Sequence, residues 1–224
     1  MLDGAIERRS LRDEVVQRVR AGIVYGEIEP GTIHSAPLLA ARMGVSITPV
    51  REALLELASR GMVTQVRNRG FRVVERSPAD LDAALELRAL VEIPMLARLA
   101  SALDPATIAE FRAIVDEGIE AARDDDHVAF LDLDRRFHTG LLARAGNPRV
   151  VDVVDQLLDQ LRLATFARTE GAPPLVSVAD GHADILDAIA TAGPAKVERA
   201  ARAHLDLTRT AWSDDRRSQA GVAR

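Results

Sequence analysis

The chain has 224 residues, with 29 Lys+Arg against 34 Asp+Glu and a formal net charge of −5, and at ~100–200 residues per domain it allows one large domain or two small ones. Hydrophobic residues at 47% and charged residues at 28% exclude a disordered chain, and no apolar run reaches the ~20 residues of a membrane span. The absence of cysteine excludes disulfides, a thiolate nucleophile and Cys-ligated metal, so any transition-metal site must be built from His and carboxylates.

Aromatic residues at 3% and an abundance of Ala, Leu and Arg predict a mostly α protein. The opening MLDGAIERRSLRDEVV breaks its apolar residues with charges, unlike the continuous core of a secretory signal, and predicts a cytoplasmic protein. Charge is uneven along the chain. Residues 1–76 carry 12 Arg and 9 acids, or +3, and residues 77–224 carry 17 basic and 25 acidic side chains, or −8. The first segment suits a polyanion and the second does not.

Leu11, Val15, Val16, Val19, Ile23 and Val24 have helical spacing and predict a first helix over 10–25, stopped by Gly26. After the turn EPGT, PLLAARMGV reads as a short helix ending at Gly44. SITPVREALLELASRGM then predicts a longer helix with Thr48 as N-cap, Pro49 at its first position and Val50, Leu54, Leu57 and Ala58 inside. A short helix, a Gly-containing turn and a longer helix is helix-turn-helix order. The β-prone MVTQV and FRVV, joined by RNRG, add a wing, so residues 1–76 read as a winged helix-turn-helix DNA-binding domain.

Residues 77–224 contain no convincing strand and predict an all-α bundle of six to seven helices. Ser77-Pro78 opens a helix to about 102, with Asp80 completing a capping box and Pro94 expected to kink it. Asp104-Pro105 opens the next, to about 123, and Asp124, Asp125 and Asp126 cap a third that ends before Gly146-Asn147-Pro148. Further helices are predicted over 149–168, 176–192 and 194–212, with the loop EGAPP and the Gly193-Pro194 break between them and a polar, frayed tail.

Projection at roughly 100° per residue places Asp134 and His138 in the middle of the apolar arc of Phe130, Leu131, Leu133, Phe137, Leu141 and Leu142. It also places His182 among Val178, Ile185, Leu186 and Ile189, and His204 among Val197, Ala201, Leu207 and Ala211. A buried lone carboxylate costs several kcal/mol unless paired or coordinated, and a buried imidazole also needs partners. One Asp and three neutral His satisfy each other by sharing a divalent cation, with Zn, Ni, Mn or Fe fitting the donor set; the alternative is three separately satisfied core histidines. His34, in a predicted turn, and His127 read as surface residues. Arg88 projects among Leu81, Ala84, Leu85, Val91, Met95 and Leu99 with Glu92 one turn on. It is read either as half of an ion pair or as a guanidinium for a ligand carboxylate, with Arg162 as a second candidate.

GVSITPVREALLELASRGMV followed by VRNRGFRVV closely resembles the winged helix-turn-helix of the GntR superfamily of bacterial transcription regulators. The helical half, with FLDLDRRFHTGLL, GHADILDAI and RAHL in that order, resembles the FadR-like subfamily and its FCD effector domain. The resemblance implies that Asp134, His138, His182 and His204 bind a divalent metal that helps to hold a small carboxylate effector. It further implies a DNA face formed by Ser46, Thr48, Arg51, Arg67, Asn68, Arg69 and Gly70. One departure stands out: the family's usual Arg before Thr-Pro is Ile47 here.

These readings predict a metabolite-responsive regulator, expected to be a repressor. It would act as a homodimer on a roughly palindromic double-stranded operator, with a small organic acid as effector. The rivals are a metal-dependent enzyme fused to a winged helix-turn-helix, disfavoured by the lack of an HExxH-type pattern, and a metal-free interaction bundle.

Overall fold

The computed structural model describes residues 11–24, 26–165 and 175–213. The expected helix limits at Ser10, Tyr25 and Arg168, the loop EGAPP and the polar tail fall partly or wholly outside them. The chain divides into two compact units, with the boundary between Glu75 and Arg76.

The first unit contains α1 (Leu11–Val24), β1 (Ile33–His34), α2 (Ala36–Met43), α3 (Ile47–Ser59), β2 (Val63–Val66) and β3 (Gly70–Val73). Val15, Val16, Val19 and Ile23 are buried on α1, and Val50, Leu54 and Leu57 on α3, the helix against which α1 packs. Helical spacing of these aliphatics builds the core of the unit. Ser35 caps α2 by accepting from the Leu38 amide at 3.4 Å, and Gly44 at φ 67° ends it in the left-handed conformation.

The start of α3 differs from expectation. Its N-cap is Ser46, not Thr48, and the helix begins at Ile47 with Thr48 and Pro49 already inside its first turn. Proline is tolerated there because amides of a first turn have no intrahelical acceptor.

The wing is a three-stranded antiparallel sheet in the order β1-β3-β2, with Val63 opposite Val73 and Val66 opposite Gly70. His34 belongs to β1, opposite Phe71, and not to a turn; its Nε2 lies 2.7 Å from the Thr32 hydroxyl. Asn68 takes a positive φ of 59° at the hairpin tip. Gly70 is required by the fold itself: its φ is 126°, and a Cβ there would meet the His34 carbonyl oxygen at 2.3 Å.

The second unit is all-helical among the described residues: α4 (Pro78–Ala97), α5 (Pro105–Arg123), α6 (His127–Arg144), α7 (Pro148–Thr165), α8 (Leu175–Thr191) and α9 (Pro194–Ser213). The capping box at Ser77 and Asp80 is present, and Asp104 and Asp126 cap α5 and α6. α4 spans Pro94, which stands on its exposed side, and ends at Ala97, short of the expected 102. Ser101 has a φ of 55°, and its amide donates to the Ile189 carbonyl of α8 at 2.8 Å, so the chain leaves the helix to make a tertiary bond.

The six helices pack in a closed order: α4 on α9, α9 on α8, α8 on α5, α5 on α6, α6 on α7, and α7 back on α4. Each packs chiefly against two neighbours, with a smaller α4–α6 contact across the interior, so the inward faces converge. None of the described helices is long and apolar enough to cross a membrane.

Candidate DNA-binding face and metal centre

The solvent side of α3 begins with Ser46, Ile47, Thr48 and Arg51, all exposed. Ser46 is the N-cap by position yet makes no capping bond, so its hydroxyl is free of that duty. Ile47, 45% exposed, is one turn before Arg51 on the same side of the helix. Burial does not explain an aliphatic side chain here. At the hairpin tip Arg67, Asn68 and Arg69 are exposed and Gly70 half-buried. Within this unit the helix-turn-helix thus offers Arg51 beside apolar and hydroxyl groups, and the wing offers two guanidiniums.

In the second unit Asp134, His138, His182 and His204 come together, each with one ligand atom within 4.8 Å of all the others. The three imidazoles are buried, and the Asp134 side chain is 12% exposed at the edge of the cluster. His182 Nε2 lies 3.2 Å from His138 Nε2 and 3.3 Å from Asp134 Oδ1, and His138 Nε2 lies 3.6 Å from the same oxygen. Donors on a cation with ~2.1 Å bonds stand about 3.0 Å apart at right angles and about 3.4 Å at the tetrahedral angle. The spacing therefore fits three donors of one ion. His204 Nδ1 is buried with no hydrogen-bond partner, a state that costs ~1–3 kcal/mol unless something binds the nitrogen.

Protonation also fits. Burial pushes the His182 imidazole below its usual range, with Asp134 partly opposing; burial followed by the charges of its neighbours pushes His204 further down. Both are held as neutral imidazoles, the form that ligates metal. His138 is oriented from behind, its Nδ1 donating to Glu92 Oε1, which turns the Nε2 lone pair toward the cluster. Burial would raise the Glu92 carboxyl, but Arg88 and His138 together hold it well below the ordinary carboxylate range. Arg88 does form the ion pair with Glu92: Nε donates to Oε2 at 3.0 Å and Nη2 to Oε1 at 3.3 Å, with both side chains 2% exposed. It also lines, with Asp134, Phe130, Leu131, Leu158 and Leu161, a cavity of about 50 Å³. The side chain of Arg162 lies outside the described residues.

Three features were not expected from the sequence. Glu92 supports His138, a role whose sequence signal is its place four residues after Arg88 on one helical face. Arg135 bridges Asp155 and the fully buried Asp159 of α7, its Nη1 lying 3.2 Å from Asp159 Oδ1. Gly181 makes room for the His204 imidazole, since a Cβ there would stand 2.7 Å from its Nδ1. Gly181→Ala is accordingly expected to destabilise the metal-free chain, because displacing the buried His204 ring outweighs the ~1 kcal/mol gain in helix propensity, and to weaken metal binding. Calorimetric titration with zinc alongside metal-free melting checks both signs; unchanged zinc affinity would remove His204 Nδ1 from the donor set.

Known proteins share this organisation. Residues 11–73 match the family model of bacterial regulatory proteins of the gntR family, and residues 83–207 match that of the FCD domain. A helix-turn-helix transcriptional regulator from an unstable DNA locus of Streptomyces ambofaciens is 35% identical over 199 residues, covering 88% of this chain and 83% of that protein. The transcriptional repressor RspR of Escherichia coli is 28% identical, covering 87% of this chain and 86% of its own. The solved structure of McbR from Escherichia coli superposes with a TM-score of 0.82 at 22% identity, over 92% of this chain and 98% of that one, and so shares the fold.

Proposed function

The chain belongs to the GntR family of bacterial regulatory proteins and carries an FCD domain, and from that premise we propose that it is a metabolite-responsive repressor whose helical unit binds a divalent transition metal and, through it, a small organic acid. DNA-binding transcription regulation is the function of the family; the metal, the acid and the sign of regulation are the proposal. Residues 1–76 bind DNA, and residues 77–224 bind the effector and dimerise. The carrying observation is the buried Asp134, His138, His182 and His204 set, whose edge at Asp134 meets the cavity lined by Arg88. An acid carboxylate placed there meets cation and guanidinium together.

On the operator, two recognition helices of a homodimer enter successive major grooves of a roughly palindromic site. Arg51 meets a guanine edge while Arg67 and Arg69 hold phosphates. Ser46 and Thr48 at the start of α3 supply hydroxyls and the helix N-terminus to the backbone, and Asn68 and Gly70 shape the wing tip. Effector binding changes repression by favouring one arrangement of the two half-sites over the other. Repression is supported by relatives such as RspR.

The test is selection of bound DNA from a random library by the full chain. It is followed by release of that DNA with sugar acids, hydroxy acids or dicarboxylates, each with and without added zinc, nickel or manganese. A recovered inverted repeat, released by an acid only when metal is present, is the expected result. Release by an acid without added metal would keep the effector and remove the metal from the reading, and release by none of the acids would favour the metal-free interaction bundle. Ile47→Arg is expected to add a guanidinium donor and change the base selected beside the Arg51 contact; an identical motif at identical affinity would mean that position 47 does not face the groove.

A further inference from the structure

Two apolar side chains stand exposed on the helix that carries Arg51, and burial explains neither. Ile47 is 45% and Leu55 54% exposed, one turn before and one turn after Arg51, which is exposed as well. The core of the unit does not require them, since Val50, Ala53, Leu54 and Leu57 fill the inward side of α3. At roughly 100° per residue, Thr48 and Leu55 point within about 30° of the direction opposite that side, and Ile47, the first residue, stands at the tip of the helix. Thr48, Arg51 and Leu55 also keep the i, i+3, i+7 spacing with which a helix lying in a major groove reaches base edges.

What an aliphatic group can meet in that groove is limited by chemistry. Phosphates are anionic, and the base edges present carbonyl oxygens, ring nitrogens and amino groups; the thymine C5-methyl is the one methyl among them. Against thymine, an Ile or Leu side chain buries that methyl. Against cytosine, it covers an amino donor and leaves it without an acceptor, which is unfavourable. The pair therefore discriminates as well as attracts. Four residues of helix rise about 6 Å, close to two base-pair steps of ~3.4 Å.

We propose that Ile47 and Leu55 determine operator specificity by packing on thymine methyls, one on each side of the guanine read by Arg51 and within about two base pairs of it. The inference rests on the DNA face described above and adds the bases that flank the guanine.

Uracil substitution tests it, because uracil pairs as thymine does and lacks only the methyl. Each thymine of the operator recovered by selection is replaced by uracil in both half-sites, and the full chain is titrated by mobility shift. Two thymines per half-site are expected to respond. At each, wild-type affinity is expected to fall on the order of tenfold, since burying one such carbon is worth about fourfold per half-site. Ile47→Ala is expected to abolish the response at one thymine and Leu55→Ala at the other, each variant keeping the response it does not touch. Both are surface positions, so the core is kept, and the uracil scan on the wild-type chain reads the contact with no substitution at all. A wild type indifferent to uracil at every thymine overturns the proposal. Responses at both thymines that survive Ile47→Ala, or that survive Leu55→Ala, overturn the assignment of that residue. Arg51→Ala separates this from the DNA face itself. Weakened operator binding by Arg51→Ala with no response to uracil overturns this inference alone, whereas unchanged binding by both Arg51→Ala and Arg69→Ala overturns the DNA face.

Discussion

Removing metal from the purified chain with a chelator is expected to lower its melting temperature by roughly 10 °C. A ligand bound only by the native state stabilises it by RT ln(1 + [M]/Kd), or ~3–4 kcal/mol at a hundred- to thousandfold excess over Kd, and at this chain size each kcal/mol moves the midpoint by ~2–4 °C. Without the cation, Asp134 and three imidazoles remain together in the interior and His204 Nδ1 has no partner. His204→Ala is expected to abolish most of the metal-dependent shift while leaving DNA binding by the metal-free chain in place, since the DNA face belongs to the other unit. Glu92→Gln is expected to retain metal but bind it ~10–100-fold more weakly, because His138 loses the carboxylate that orients it. Calorimetry with and without chelator, together with metal analysis of the purified chain, checks this. A chain that carries no metal and melts identically in chelator would show that the four residues satisfy one another as core groups.

Arg51→Ala is expected to weaken binding to the selected operator by 1–3 kcal/mol, about 5- to 150-fold, and to relax the base preference at one position in each half-site. A bidentate guanidinium–guanine contact has that worth in discrimination. Arg69→Ala should act differently. A phosphate contact carries no sequence information, so operator and scrambled DNA lose affinity alike and the salt dependence flattens by about one counterion per site. Mobility shifts at two salt concentrations separate the two. If both variants bind as wild type does, the DNA face lies elsewhere on the unit.

Much of this was legible in the sequence because it is encoded locally. Helix ends carry their own chemistry: Ser77 with Asp80, Asp104, Asp126 and Gly44 are short-range signals, and the structure places helix termini at each. Inward faces follow from the 3.6-residue period, which is why projection alone singled out His138, His182 and His204. The misplacements were also local. Thr48 and Ser46 are both good caps two residues apart, and only the course of the backbone selects Ser46. β1 has two residues, too few for a periodic signal, and is framed by the Gly31 amide donating to the Val73 carbonyl and the Val73 amide donating to the Thr32 carbonyl, across some forty residues.

The sequence by itself determined the order of elements, the apolar face of each helix and the residue types able to bind DNA or metal, because propensity, capping and periodicity act over a few residues. Tertiary structure decided what no such window contains. It closed six helices into a ring, set imidazoles from α6, α8 and α9 around one point, placed Glu92 of α4 behind His138 and kept Gly181 bare beside His204. It also left Leu87 and Leu90 uncovered while burying Arg88 between them in sequence. The reason is physical: burying apolar faces fixes which helices are neighbours, and the polar groups on those faces then meet partners that lie 20 to 70 residues away along the chain.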